Sequence, residues 1–266
     1  MSTLDDVLAD LAAEGDQLDG LVADLPDEAG RGWRTPTPAA GWDVAHQIAH
    51  LAWTDEVAVK AATDKAAWDA TVLEALADPD GFVDAQAAVG AGSSPADLLA
   101  RWRSGRAALA TALRALPTEA KIPWYGPSMS ATSMATARFM ETWAHARDVA
   151  DALGVDLTRE DRVRHVAHLG VRTRRFAFAA RGLEAPETDV HVTLTLPSGA
   201  VFEDGPVDAE QSVRGAAYDF ALLVTQRAHR ADLDLTAGGP AADRWLDVAQ
   251  AFAGPPGEGR APRENA

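Results

Sequence analysis

The apolar positions near the start of the chain, Leu4, Val7, Leu8, Leu11, Leu18, Leu21 and Val22, recur at three- and four-residue intervals with acidic residues between them. That period lays one apolar stripe along a helix and predicts a first helix from Leu4 to about Leu25. Pro26, Gly30, Gly32 and Thr35-Pro-Thr-Pro38 break it. Gly41-Trp42-Asp43 opens a second periodic segment, running to about Ala62, with Asp43 as its N-cap. From Leu73 to Val89 the pattern is weak. Ser94-Pro95-Ala96-Asp97 supplies an N-cap and a proline at the first helical position, which predicts a helix to about Leu116. After a loop marked by Pro117, Pro123, Gly126 and Pro127, a strong helix runs from about Ser133 to Leu153 and is closed by Gly154.

The second half changes character. A helix is predicted from about Arg159 to Ala180, and then Asp189-Val-His-Val-Thr-Leu-Thr-Leu alternates in the manner of a strand. A Pro-Ser-Gly turn and Ala200-Val-Phe-Glu203 complete a hairpin. A helix from Val213 to Ala228, a short strand at Leu233-Asp-Leu235 and a helix from Ala241 to Phe252 follow. The predicted organisation is an N-terminal all-α four-helix bundle over residues 1–155, a smaller α+β domain over 156–254, and a flexible Gly/Pro/Arg-rich tail over 255–266.

Across 266 residues, 24 Lys+Arg stand against 40 Asp+Glu, a formal net charge of −16. This balance argues against a general grip on nucleic acid or a polybasic membrane contact, and for small soluble partners. There is no cysteine, so disulfides, thiolate metal sites and a cysteine nucleophile are excluded, and thiol chemistry would need an external thiol. An acidic start and the absence of any run of about 18 apolar residues give the expectation of a cytoplasmic protein, monomer or homodimer. Its bias to alanine and to arginine over lysine suits a GC-rich bacterial genome.

Two patterns bear on chemistry: His46-x-x-x-His50 on the second helix and Glu141-x-x-x-His145 on the fourth. Four-residue spacing puts two side chains on one helical face, so two facing helices can supply three or four ligands to one ion. Spacing alone equally fits ordinary polar groups on partly buried faces. Without cysteine, imidazole and carboxylate suit Zn²⁺, Fe²⁺, Ni²⁺ or Mn²⁺, with zinc the first choice. Arg138 and Asp148 lie on the same stripe one turn outside Glu141 and His145, where they could orient a carboxylate and fix a histidine tautomer.

Thr35-Pro-Thr-Pro-Ala-Ala-Gly-Trp-Asp-Val, His50-Leu51 and Arg138-x-x-Glu141-Thr-Trp-Ala-His145-Ala-Arg-Asp148 closely resemble the DinB-like four-helix metalloenzymes of actinobacteria, in the branch of mycothiol-dependent maleylpyruvate isomerase. Tyr218-Asp-Phe-Ala-Leu-Leu-Val-Thr-Gln-Arg227-Ala-His229 and Trp245-Leu246 are similar to the small α+β domain of that branch. The resemblance implies a metal triad of His50, Glu141 and His145, with His46 outside it. It implies mycothiol as cosubstrate, a small-molecule electrophile as substrate, and a role for Arg227 at the reacting centre. The chemistry implied is cis–trans isomerisation or thiol S-transfer.

Trp42, Trp53 and Trp124 are candidates to line a pocket or simply to fill the core; Trp124 and Tyr125, just before the Glu/His helix, are further candidates to line its mouth. His165 and His168 read as exposed histidines in an arginine-rich segment. Two rival readings stand beside the thiol-using enzyme: a metal-dependent hydrolase of a small molecule and a non-catalytic metal-binding module.

Overall fold

A computed structural model describes residues 3–257 and 259–263. By their internal contacts the residues divide into two compact units, 1–157 and 158–266. The first contains six helices: α1 (Leu4–Val22), α2 (Val44–Thr63), α3 (Lys65–Ala77), α4 (Phe82–Ala91), α5 (Pro95–Ala115) and α6 (Ala131–Leu153). Four of them, α1, α2, α5 and α6, form the bundle, with α2 packed on α5 and α6, and α1 on α6 and α5. The weakly patterned stretch holds α3 and α4, which lie in the connection from α2 to α5 and pack on α2. The α3 pattern was faint because only Trp68 and Thr71 of that helix are buried, while Leu73 and Leu76 are 69% and 68% exposed.

Local chemistry sets the helix ends. Thr3, Asp43, Asp64, Ser94 and Ser130 each accept a backbone N–H of the first turn that follows. Gly154 closes α6 in the left-handed conformation, φ +66°. Between α1 and α2, a ribbon of β1 (Asp27–Glu28) and β2 (Arg31–Gly32) turns the chain. Gly32 has φ +53°, and a Cβ there would stand 2.0 Å from the Pro26 carbonyl oxygen, so no other residue fits. Leu18, Val22, Trp33, Ile48, Leu51, Leu98, Trp102 and Val149 fuse these elements into one buried cluster, each aliphatic side chain worth about 1.5–3 kcal/mol.

The second unit carries α7 (Arg164–Arg172), α8 (Arg174–Ala180), β3 (Val190–Thr195), β4 (Val201–Asp204), β5 (Gln211–Ala216), α9 (Ala217–Val224), β6 (Leu235–Gly238) and α10 (Pro240–Val248). Its sheet runs β4-β3-β5-β6, with β3 and β5 parallel and the other pairs antiparallel. Four sequence expectations change here. The helix expected from Arg159 to Ala180 opens with a 3-10 turn and breaks at Thr173, whose hydroxyl donates to the Leu169 and Gln250 carbonyls. The helix expected from Val213 begins only at Ala217, because Gln211–Ala216 is paired on both sides and Gly215, at φ +151°, lets Asp234 approach where a Cβ would clash. The final helix ends at Val248 rather than Phe252, and the short strand begins at Leu235. In the expected tail, residues 258 and 264–266 lie outside the described residues; the Arg263 backbone N–H donates to the Asp232 carboxylate. No helix among the described residues is long and apolar enough to cross a membrane.

One buried ion pair joins α1 to α6: Arg147 Nη2 donates to Glu14 Oε1 at 2.9 Å, with its guanidinium over the Trp143 ring. Breaking such a pair leaves an uncompensated buried charge, so Glu14→Ala is expected to cost about 3–5 kcal/mol of stability, read from the urea midpoint. A variant within about 0.5 kcal/mol of wild type would show that Glu14 carries no such load.

A candidate metal centre between two helices

Helix α2 presents His50 and helix α6 presents Glu141 and His145, one turn apart, across their shared contact. Glu141 Oε2 lies 3.5 Å from His50 Nε2 and 3.3 Å from His145 Nε2, and the two imidazole centroids are 4.6 Å apart. Ligand bonds of about 2.0–2.2 Å in a tetrahedral arrangement require donors roughly 3.3–3.6 Å apart; both carboxylate–nitrogen separations meet this, and the three ligand atoms all lie within 4.8 Å of one another, so the group could hold one divalent cation. Among the described residues no other three His, Asp or Glu side chains converge in this way.

The protonation states agree with that fit. Burial lowers His50 from its ordinary 6.5 to about 4, against the opposing pull of Glu141, so its imidazole is neutral at physiological pH. Burial raises Glu141, but hydrogen bonds with His145 and His50 outweigh it and hold the carboxyl well below its usual range. A neutral nitrogen and an ionised oxygen are the forms a cation binds. The Glu141 side chain is also the more open, 24% exposed against 11% and 10% for the histidines, which leaves one side of the group facing outward.

Around the three ligands the structure reassigns the supporting roles. His145 Nδ1 is hydrogen-bonded to Gln47 Oε1, while the Asp148 carboxylate stands 4.0 Å away. Gln47 Nε2 donates to Thr37 Oγ1 at 2.8 Å, and that hydroxyl donates to the Trp42 carbonyl at 2.9 Å. The Arg138 guanidinium is held by Asp55: its Nε donates to Asp55 Oδ1 at 2.8 Å in a buried pair between α6 and α2. Two buried nitrogens near the centre, His50 Nδ1 and Arg138 Nη2, have no hydrogen-bond partner among the described residues. Gln47 was missed in the sequence; its signal was a polar residue one turn before His50 on an otherwise apolar face.

Aromatic rings form the walls. Trp42 lies 5.3 Å from the His50 ring and stacks at 6.0 Å and 17° on His145, with its indole N–H donated to Asp84 on α4. Trp53 is 6.1 Å from His50 and meets Phe82 edge-on. Trp124 and Tyr125 instead cluster with Trp68 of α3, and burial beside Glu74 pushes the Tyr125 hydroxyl up to about 12. Among the described residues their ring contacts do not include His50 or His145. His46 is spent on the N-cap of α2, its Nδ1 2.6 Å from Asp43 Oδ1. Arg227 lies in the second unit and donates to the Thr225 carbonyl. His165 is buried and His168 half-buried, so they are not the exposed pair that their neighbours implied.

With this geometry in hand, similarity to known proteins is informative. The family described as mycothiol maleylpyruvate isomerase N-terminal domain matches residues 11–150. Two strains of Mycobacterium tuberculosis, CDC 1551 / Oshkosh and ATCC 25618 / H37Rv, each encode an uncharacterized protein 54% identical over 253 residues, 95% of this chain and 97% of the relative. Crystal structures of the mycothiol-dependent maleylpyruvate isomerase and of a histidine-to-alanine mutant share the fold, with a TM-score of 0.59, 17% identity, and coverage of 90% of this chain and 95% of theirs. The helical bundle followed by a smaller sheet-containing domain is thus the fold of that isomerase. The chain belongs to the mycothiol maleylpyruvate isomerase N-terminal domain family.

The Asp55–Arg138 pair fixes how α2 faces α6. Asp55→Ala is expected to destabilise the protein by about 3–5 kcal/mol by stranding the buried guanidinium, measured by chemical denaturation; a loss below about 1 kcal/mol would remove it from the frame of the site.

Proposed function

We propose that the chain is a metal- and thiol-dependent enzyme that uses a low-molecular-weight thiol, mycothiol, to attack an electrophilic small molecule, as a cis–trans isomerase or thiol S-transferase. The metal assigned is Zn²⁺, held by His50, Glu141 and His145. The observation that carries this reading is the convergence of two Nε2 atoms and one carboxylate oxygen, 3.3 and 3.5 Å apart, in a chain without cysteine. A divalent cation bound there supplies Lewis acidity that lowers the pKa of an incoming thiol toward neutrality.

The chain's own residues do the rest. His50 offers a neutral nitrogen and Glu141 adds a single negative charge, so a divalent cation held by the three residues would keep a net positive charge to attract a thiolate. The rings of Trp42 and Trp53 border this group and limit water beside it. The buried Nη2 of Arg138 and Nδ1 of His50 have no partner among the described residues. Addition of the thiolate to one end of an activated double bond turns that bond into a single bond and moves charge onto the electrophile. Rotation and expulsion of the thiolate restore the double bond in the other geometry, giving an isomer; protonation instead gives a stable S-conjugate. The family's description supports the isomerase branch. Arg227 enters as the resemblance implies, as a substrate-binding residue, and Asp148 as a further support to His145.

The purified protein is expected to hold about one zinc ion per chain, and His50→Ala and His145→Ala to lose most of it, since a missing ligand leaves the coordination shell incomplete. Elemental analysis at unchanged fold decides this, and full occupancy in both variants would move the site. Turnover of an electrophile library, followed by mass spectrometry, is expected to require added mycothiol; products formed equally without any thiol would favour hydrolysis. Arg227→Ala is expected to raise KM at unchanged zinc content, and an unchanged KM would take Arg227 out of substrate binding.

A further inference from the structure

We propose that Gln47 is a positioning residue that fixes the tautomer of His145, so that Nε2 and not Nδ1 is left with the lone pair facing Glu141; the inference rests on reading this group as a metal centre. Gln47 is fully buried, so both ends of its amide need partners, and a buried amide left unpaired costs about 1–3 kcal/mol. Its NH₂ donates to Thr37 Oγ1, and the Thr37 hydroxyl in turn donates to the Trp42 carbonyl. That direction turns the Gln47 carbonyl oxygen toward His145. A carbonyl only accepts, so His145 Nδ1 carries the proton, and a neutral imidazole protonated there has its lone pair on Nε2.

The relay explains the physical use of the Thr35–Trp42 loop, whose residues are not ligands. The loop turns back on itself through the Thr37 and Trp42 backbones, Thr37 N–H donating to the Trp42 carbonyl at 2.8 Å. It thereby sets the acceptor for Nδ1 and lays the Trp42 ring over the face of the same imidazole, at 6.0 Å and 17°. The Trp42 indole is anchored at its far side on Asp84, 3.0 Å away. Among the described residues His50 has no counterpart to Gln47: its Nδ1 is buried without a hydrogen-bond partner there. His145 is therefore the ligand whose orientation the protein determines before any ion arrives, and the relay acts on that ligand alone.

The test compares wild type with Gln47→Leu, which removes the acceptor, and Gln47→Glu, which keeps an acceptor for Nδ1–H. Zinc affinity is measured by chelator competition, and the imidazole nitrogens of metal-free protein are read by ¹⁵N NMR, assigned with His145→Ala. Gln47→Leu is expected to weaken zinc binding by about 10–100-fold and to move the His145 proton off Nδ1, whereas Gln47→Glu keeps the proton on Nδ1 and binds zinc more tightly than Gln47→Leu. Wild-type affinity and wild-type His145 signals in Gln47→Leu would overturn the proposal, as would equal loss in both variants, which marks a packing role. Should wild type itself bind no zinc, the metal reading fails, while the nitrogen spectra still decide whether Gln47 sets the tautomer.

Discussion

The structure turns on a polar contact buried between α2 and α6. Besides the contact of His50 with Glu141, two bonds cross it: the Asp55–Arg138 ion pair and the hydrogen bond from His145 to Gln47. In a low-dielectric interior such groups are tolerated only with nearly complete hydrogen bonding, and a half-satisfied network is worse than an apolar one. The two crossings lock the helices in one rotational setting, and in that setting His50, Glu141 and His145 point at one another. In that setting burial keeps the His50 imidazole neutral, and the hydrogen bonds of both histidines keep the Glu141 carboxyl ionised.

The frame also explains the arrangement of the rest of the unit. Short helices α3 and α4 carry little of the core, yet α4 supplies Asp84 and Phe82, which hold Trp42 and Trp53 beside the histidines. A short helix of poor apolar pattern thus shapes the walls of a site whose ligands sit on the long helices. Glu14 and Arg147 brace α6 from the opposite side against α1. The site is rigid because the long elements around it are cross-linked by charge as well as packed.

Much of this was readable in the sequence and some was not. The long helices showed in their apolar period and in the caps Asp43, Ser94 and Gly154, because those signals are local. Gln47 shows in the sequence only as a polar residue on an apolar face; its role depends on a loop folding back ten residues earlier in the chain, a tertiary fact with no period. Asp148 was favoured on helical spacing, yet Gln47 from the facing helix reached Nδ1 first. β5 was taken for helix because Val213 to Ala228 is apolar without clear alternation, and what makes Gln211–Ala216 a strand is its pairing with β3 and β6. Trp124 and Tyr125 were placed by their nearness in sequence to Glu141, whereas α3 offers them Trp68, a partner in a stretch whose pattern was too weak to place.

The central claim is that His50, Glu141 and His145 hold a cation that receives an external thiol. X-ray absorption at the zinc edge of the loaded protein, before and after addition of mycothiol, tests it most directly. The account predicts only nitrogen and oxygen neighbours before addition, as a chain without cysteine requires, and a new sulfur neighbour afterwards that is absent from the His145→Ala protein. An unchanged spectrum at saturating mycothiol would contradict it.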